Sequence, residues 1–122
     1  NVAWRNGAPA GAVLTVVNGG TLDVSNSAFS KNTGGAAITV TSGTVPTVRY
    51  NNFNLNASNF SGMPNLVALN GNRSVTPRFR NPNVGDFVLL STSGLINRGD
   101  PAVFDVNGTR SDIGLFGGPQ AF

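Results

Sequence analysis

The side chains of this chain that could carry out chemistry are few and mostly acidic. The chain contains no His and no Cys, and Lys31 is its single lysine, which excludes Ser–His and Cys–His nucleophile pairs. Two carboxylates could still act as acid and base in glycoside hydrolysis. The five candidates are Asp23, Asp86, Asp100, Asp105 and Asp112. Four of them lie beyond residue 85, so the first 85 residues contain Asp23 as their single carboxylate and no acid–base pair. We therefore expect no catalysis within this chain.

Cation binding is a second chemistry that one segment could support. Residues 105–112 place oxygen ligands at Asp105, Asn107 and Asp112 around Gly108. Oxygen ligands spaced around a glycine turn can wrap a hard cation such as Ca²⁺. The segment lacks the closing bidentate glutamate of an EF-hand. One interpretation is therefore a structural calcium site at Asp105, Asn107 and Asp112, and no other cofactor is predicted.

The alternative interpretation of the same segment is a glycine-centred turn without metal. In that case Asp105 and Asn107 accept hydrogen bonds from nearby backbone N–H groups, as Asx turns do. Asp112 would then form an ion pair with Arg98 or Arg110. The sequence leaves both interpretations open.

An internal repeat indicates which elements position these groups. Shifting the sequence by 24 positions aligns residues 11–32 with residues 35–56 without a gap. A fixed period in the twenties is typical of solenoids. The identical pairs are Gly11/Gly35, Ala12/Ala36, Thr15/Thr39, Val16/Val40, Gly19/Gly43, Val24/Val48, Phe29/Phe53 and Asn32/Asn56.

Each copy of the repeat predicts two short strands separated by a glycine turn. The β-branched runs cover residues 13–17 and 21–25 in the first copy, and 37–41 and 45–49 in the second. Their alternation puts the paired valines Val24 and Val48 on one face. A leucine-rich repeat has a similar period, but its spaced Leu and Asn pattern is absent.

Equivalent residues of successive repeats are expected to lie directly above one another. Phe29 and Phe53 would then stack in the interior, and Asn32 and Asn56 would form a ladder at a turn. We interpret both pairs as structural and not as ligand-binding residues.

A series of motifs after the repeats resembles a known family. The motifs are Val75-Thr76-Pro77-Arg78-Phe79-Arg80-Asn81-Pro82, Gly85-Asp86-Phe87-Val88-Leu89-Leu90, Ile96-Asn97-Arg98-Gly99-Asp100-Pro101 and Asn107-Gly108-Thr109-Arg110-Ser111-Asp112-Ile113-Gly114-Leu115-Phe116-Gly117-Gly118. In this order they are similar to the C-terminal cap of bacterial right-handed parallel β-helix surface proteins of the pectin-lyase-like type, including those with choice-of-anchor Q domains. The resemblance covers nearly the whole chain, as repeats up to about Phe60 and as ordered motifs from Phe79 to Gly118.

The resemblance implies an all-β fold, a right-handed parallel β-helix (solenoid) of a few rungs plus a C-terminal cap. It implies one domain over residues 1–122, with rungs at 1–75 and a C-terminal rung and cap at 76–122. A cap meets a physical need, because the last rung of a parallel stack exposes apolar side chains and unpaired backbone groups. We expect that end to be covered by Phe87, Leu89, Leu90, Leu95, Ile96, Val103, Phe104, Ile113, Leu115 and Phe116.

The same resemblance raises the question of lyase activity. Polysaccharide lyases of this fold resemble one another in a cluster of Ca²⁺-binding carboxylates with a Lys or Arg base on one side of the helix. The repeats of this chain offer Asp23, Lys31 and Arg49 only, and two usually acidic cap positions are Thr76 and Asn97. One carboxylate does not fill the roughly 6 to 8 oxygen positions that Ca²⁺ prefers. We therefore predict that this chain is not an enzyme.

Composition excludes two further classes of partner. The seven arginines are spread along the chain without a basic run, whereas nucleic-acid binding needs clustered cations. No apolar run approaches the ~20 residues that a membrane span needs. Only 11% of residues are charged, so Asn, Ser and Thr must provide the polar surface, which is an extracellular style. With the resemblance, this predicts a secreted or cell-surface bacterial protein.

The leading functional hypothesis is a non-catalytic structural or binding module that displays polar Asn, Ser and Thr faces to a polysaccharide or a cell-surface glycan. One alternative is self-association into an extracellular filament through an uncapped N-terminal rung, near residues 3–17. Another is the C-terminal part of a polysaccharide lyase or hydrolase whose active site lies upstream. Trp4 could stack on a sugar, but we expect it to pack against the first rung.

Overall fold

The computed structural model describes residues 1–7 and 13–119, and within these ranges the chain folds into short strands and no α-helix. In these same ranges no helix is long and apolar enough to cross a bilayer. A 3₁₀ turn at Pro82–Val84 links the last two strands. The strands are β1 Val2–Trp4, β2 Leu14–Val16, β3 Asp23–Ser25, β4 Ala28–Ser30, β5 Ala36–Val40, β6 Thr47–Arg49, β7 Asn52–Asn54, β8 Ser58–Ser61, β9 Phe79–Asn81 and β10 Asp86–Leu89.

Three parallel sheets carry the repeats. Their strand orders are β1-β4-β7, β2-β5-β8 and β3-β6. Leu14 pairs with Ile38, Asp23 with Thr47 and Ala28 with Asn52, each partner lying 24 residues further along the chain. The prediction of an all-β chain with stacked parallel strands at this period is confirmed. The aligned residues Gly11 and Ala12 lie outside the described residues.

The core between the sheets is built by the predicted equivalent residues. Val24 and Val48 are register partners and both are buried. The rings of Phe29 and Phe53 stack with centroids 5.1 Å apart and an interplanar angle of 4°. Phe60 of β8 continues the stack at 4.8 Å from Phe53. The predicted interior stacking is therefore confirmed, and aromatic burial of this kind dominates core energetics.

Asparagine ladders fix the turns between the strands. Asn32 donates from Nδ2 to Oδ1 of Asn56 at 2.9 Å, which confirms the predicted ladder. A second ladder joins Asn51 to Asn72, whose Oδ1 accepts from the Asn51 backbone N–H at 3.0 Å. Asn32, Asn51 and Asn72 are all buried. Each ladder satisfies backbone groups that a buried turn would otherwise leave without partners.

Apolar residues of the C-terminal segment pack on sheet β1-β4-β7. Leu95 and Ile113, both fully buried, pack with Phe79 against Ala28 and Val2. The parallel sheet presents apolar side chains on its outer face as well, and such a sheet needs cover on both faces.

A different segment covers the end of the stack. Phe60, Met63, Leu66 and Val67 pack against the core cluster formed by the stacked phenylalanines and valines. These residues lie beyond residue 56, where the 24-residue alignment of the repeats ends. Three residues expected inside the cap are instead exposed, with relative exposures of 44% for Leu90, 55% for Phe104 and 47% for Leu115.

An antiparallel hairpin begins the C-terminal segment and receives Trp4. Strands β9 and β10 pair with an irregularity in register between Asp86 and Leu89. Trp4 meets Phe79 and Phe87 edge to face, with centroids 5.7 Å and 6.3 Å away. The expectation that Trp4 packs is met, although its aromatic partners come from the hairpin and not from the first repeat.

Candidate functional site

A cleft opens where the strands of sheet β1-β4-β7 end beside the β9 hairpin. Its volume is about 210 Å³. Apolar walls come from Leu55, Pro77, Phe79 and Pro82. We name it the Trp4 cleft, and its polar lining residues are Trp4, Ser30, Lys31, Asn54, Thr76 and Arg78.

The parallel register brings the polar lining together. Trp4 pairs with Ser30, and Ser30 pairs with Asn54, as the last residues of β1, β4 and β7. Arg78 lies immediately before β9, which packs on this corner through Phe79. Residues that are far apart in sequence therefore form one wall because stacked strands end at the same edge.

Two cations lie at the indole of Trp4, and Arg78 lines the same cleft. Lys31 Nζ lies 4.8 Å and Arg5 Cζ 5.8 Å from the ring centroid, within the range of cation–π attraction. Arg5 donates to Asn83 Oδ1 at 3.1 Å, and Arg78 donates to Thr92 Oγ1 at 3.1 Å. These neutral partners hold the two guanidinium groups without cancelling their charge.

The charge of the cleft is positive, because Lys31 and Arg78 line it and, among the described residues, no aspartate does. Among the described residues, the ion pairs join Arg49 to Asp23 and Asp100, and Arg80 to Asp86. The Arg80 hydrogen bond and charge lower the pKa of the Asp86 carboxyl from its ordinary value. Anions are therefore favoured in the Trp4 cleft over cations.

Two polar atoms at the cleft have no hydrogen-bond partner. Within the described part of the chain, four buried side-chain polar atoms lack a partner, and two of them, Trp4 Nε1 and Ser30 Oγ, belong to residues of this lining. Ser30 is fully buried. An unsatisfied buried group costs about 1–3 kcal/mol, and both atoms are closed to solvent.

The cations of the cleft also carry backbone strain. Arg5, Lys31 and Arg78 adopt left-handed backbone conformations with φ of 50°, 59° and 54°. Asn and Gly are the residues usually found in that region, and a side chain without their advantages costs roughly 1–3 kcal/mol there. Tyr50 and Leu55 share this conformation with φ of 53° and 55°, so it is a recurring feature of the turns of this chain.

The segment proposed for calcium forms a hydrogen-bonded turn. Gly108 N–H donates to the Asp105 carbonyl at 2.9 Å, and Asn107 Oδ1 accepts from the Thr109 N–H at 3.0 Å. Asp105 Oδ1 accepts from the Gly118 N–H, and Asp112 Oδ1 accepts from the Asn97 N–H at 2.7 Å.

The arrangement is that of the turn interpretation. Among the described residues there is no group of three or more His, Cys, Asp or Glu side chains that could hold a metal. Calcium binding by Asp105, Asn107 and Asp112 remains the untested alternative interpretation of this segment.

The ion pair expected for Asp112 is not formed. Arg110 donates from Nε to the Gly99 carbonyl at 2.7 Å and lies with Cζ 5.7 Å from the Tyr50 ring centroid. Asp112 accepts the Asn97 N–H instead. A backbone donor fixed in the turn costs less side-chain entropy than an arginine, which accounts for the difference.

Asp112 gives a pH-dependent prediction. Burial raises the pKa of its carboxyl above the ordinary value, the Asn97 N–H opposes this, and the Asp105 charge adds to it. The folded chain then binds its proton more readily than the unfolded chain, so the charged form destabilises the fold above the folded pKa. We expect Asp112→Asn to melt at a higher temperature than wild type at pH 7, with the difference fading as the pH falls towards about 4. A lower melting temperature at pH 7 would contradict this.

Calcium itself gives a second prediction for this turn. Because the Asp105, Asn107 and Asp112 oxygens already accept backbone N–H groups, we expect the melting temperature to be the same with millimolar Ca²⁺ and with chelator. A bound ion would raise it in proportion to ligand excess. A Ca²⁺-dependent rise that Asp112→Asn removes would establish the calcium site.

The sequence contained one overlooked signal for the Trp4 cleft. Ser30, Asn54 and Arg78 are spaced by 24 residues, which is the period of the repeat, and Trp4 precedes Ser30 by 26. Extending the repeat forward would have grouped Ser30, Asn54 and Arg78, whereas the same step backward from Ser30 reaches Asn6 and not Trp4. Of the residues considered for lyase chemistry, Lys31 lies at this cleft, whereas Arg49 pairs with Asp23 at 3.3 Å.

Comparison with known proteins gives no family for this chain. No protein-family model matches it, and no curated protein matches it significantly.

Proposed function

We propose that the chain is a right-handed parallel β-helix module of a secreted or cell-surface protein, and that it binds a glycan without catalysing a reaction. The 24-residue register between parallel strands supports the proposed β-helical path of the chain. The motifs from Phe79 to Gly118, which resemble caps of pectin-lyase-like surface proteins, support the proposed secreted or cell-surface location.

The observation that carries glycan binding is the Trp4 cleft. It combines a hydroxyl and an amide, from Thr76 and Asn54, with the cationic side chains of Lys31 and Arg78. Few and convergent polar groups in a concave, partly apolar site are typical of small-ligand pockets. The cleft takes a single ring in preference to a longer chain, because pockets for larger ligands begin at about 300 Å³.

A polar row on a second sheet supports display to a larger surface. Thr15, Thr39 and Ser61 are successive register partners across β2, β5 and β8. Thr15 and Ser61 are exposed and Thr39 is half-buried. Hydroxyl rows on a rigid face can meet repeating hydroxyl groups of a polysaccharide.

A non-catalytic role is supported by how the aspartates are used. Asp23 and Asp100 pair with Arg49, Asp86 pairs with Arg80, and Asp112 accepts a backbone N–H. Each of these carboxylates makes a contact within the fold, and none of them lines the Trp4 cleft.

Retention on insoluble polysaccharides tests the proposed glycan binding. Thr76 is exposed at the cleft, so Thr76→Trp should fill the cleft without entering the core. We expect this variant to lose about tenfold or more of the retention of wild type, as one lost hydrogen-bonding site would produce.

The matched control is Thr44→Trp, since Thr44 is exposed and does not line the cleft. It should be retained like wild type. Equal retention of both variants would place the glycan elsewhere, and failure of wild type on every polysaccharide would contradict glycan binding.

Self-assembly is a second candidate function, and the N-terminal end of the stack favours it. A cavity of about 440 Å³ opens there and is lined by Ala3, Val13, Leu14, Leu22 and Phe29, among others. In the described part of the chain, β1, β2 and β3 are outer strands of their sheets. Unpaired strand edges beside an apolar surface are templates for pairing with another chain.

Light scattering at several concentrations tests assembly. We expect the mass of wild type to rise with concentration and that of Leu22→Lys to stay at one chain, because a charge at the apolar opening opposes docking. Val106→Lys is the control, since Val106 is 71% exposed and does not line this cavity. A constant mass of one chain for wild type would contradict assembly.

A further inference from the structure

The Trp4 cleft is built to receive an anion. Lys31 and Arg78 line it and Arg5 lies against the same indole, while no aspartate contributes to the lining. Arg5 and Arg78 are held by the neutral acceptors Asn83 and Thr92. Positive charge that is positioned but not neutralised attracts and orients an anionic group.

The donors of the cleft outnumber what a carboxylate can accept well. Lys31 brings an ammonium with three N–H donors and Arg78 a guanidinium with five. A phosphate monoester presents three acceptor oxygens and carries a charge of about −1.5 to −2 at pH 7. It therefore matches both the number of donors and the excess of positive charge.

The size of the cleft limits what carries the phosphate. Its volume of about 210 Å³ lies below the roughly 300 Å³ at which pockets for drug-sized ligands begin. A phosphate on one sugar ring therefore suits the cleft better than a longer chain. The Asn54 amide and Thr76 hydroxyl at the same wall suit the hydroxyl groups of such a ring.

We propose that the Trp4 cleft binds a phosphorylated sugar residue, with the phosphate held by Lys31 and Arg78 and the ring by Asn54 and Thr76. This inference rests on the proposed glycan-binding function and names its ligand class.

Titration of the full chain followed by NMR chemical shifts or calorimetry tests the ligand class. The four probes are glucose 6-phosphate, glucose, glucuronate and inorganic phosphate. We expect glucose 6-phosphate to bind about tenfold or more tightly than each of the others, since hydrogen bonds to charged groups and those to the ring both contribute.

Each other outcome overturns the inference in its own way. Equal binding of glucuronate would show that the cleft recognises charge alone, and equal binding of inorganic phosphate would show that the sugar is not recognised. Tightest binding of glucose would leave glycan binding standing while removing the phosphate. Binding of none of the probes would overturn the inference, and polysaccharide retention would then decide the proposed function separately.

Replacement of Lys31 separates binding from stability. Lys31→Asn removes the charge and suits the left-handed backbone, so we expect glucose 6-phosphate affinity to fall about tenfold or more while the melting temperature stays equal or rises. Ala68→Asn is the matched control, because Ala68 is exposed with φ of 66° and does not line the cleft. It should raise the melting temperature without changing affinity. Unchanged affinity in Lys31→Asn would overturn the role of this residue.

Discussion

Asn51→Leu is expected to destabilise the fold by about 3–6 kcal/mol, a large part of the 5–15 kcal/mol that holds an ordinary domain together. Asn51 is fully buried. Its Oδ1 accepts from the Ser27 N–H at 2.9 Å, and its Nδ2 donates to the Val24 carbonyl at 2.8 Å and the Arg49 carbonyl at 3.0 Å. Leucine has a similar volume, so the loss is mainly that of partners for buried backbone groups.

Denaturant unfolding followed by circular dichroism measures this effect. The control is Asn81→Leu, because Asn81 is exposed and its side chain caps no backbone group of the following 3₁₀ turn. We expect the control to change the free energy of unfolding by less than about 0.5 kcal/mol. A similar small change in Asn51→Leu would mean that the asparagine ladders do not hold the turns.

Phe53→Ala is expected to cost about 3–5 kcal/mol, as large deletions from packed cores do. The Phe53 side chain is fully buried and touches two rings, with centroids 5.1 Å away at Phe29 and 4.8 Å away at Phe60. The substitution would leave a cavity between the rings of Phe29 and Phe60. The paired strands on either side prevent the neighbouring side chains from moving in to fill it.

Phe104→Ala is the matched control for this deletion. Phe104 is 55% exposed and belongs to neither core cluster, so we expect a loss below about 1 kcal/mol. Thermal and denaturant unfolding of both variants make the comparison. Equal losses would show that the aromatic stack is not the centre of stability.

The parts of the fold that follow the period could be predicted from the sequence. The stacking of Phe29 on Phe53 and the ladder from Asn32 to Asn56 required only that equivalent residues lie above one another. The ladder from Asn51 to Asn72 was missed because its partners are 21 residues apart, and a shorter repeat does not align with the others. The two asparagines still form their hydrogen bonds although the loop between them is shorter. Shifting the sequence by 24 positions does not align them, so the pair could not be recognised in that way.

The position of the C-terminal segment could not be predicted from its apolar residues alone. Both the end and the flank of the stack needed cover, and the sequence gives the amount of apolar surface but not which surface it meets. Val2 and Ala28 determine where the segment packs. They lie on the opposite face of the sheet from Ala3 and Phe29, and the apolar side chains of the C-terminal segment bury them. The Trp4 cleft depends on that placement, which is why its cations appeared scattered.

The placement of residues 76–118 along the flank also determines how the chain comes apart. In an array whose repeats touch only their neighbours, unfolding can begin at either end and proceed one repeat at a time. Here the Gly114 N–H donates to the Asn26 carbonyl at 3.0 Å, and Phe79 packs on Trp4 of β1. The C-terminal segment is therefore in direct contact with the N-terminal part of the chain. Loss of β1 therefore requires release of the C-terminal segment, and amide hydrogens of both should exchange with solvent together, at the same free energy of opening.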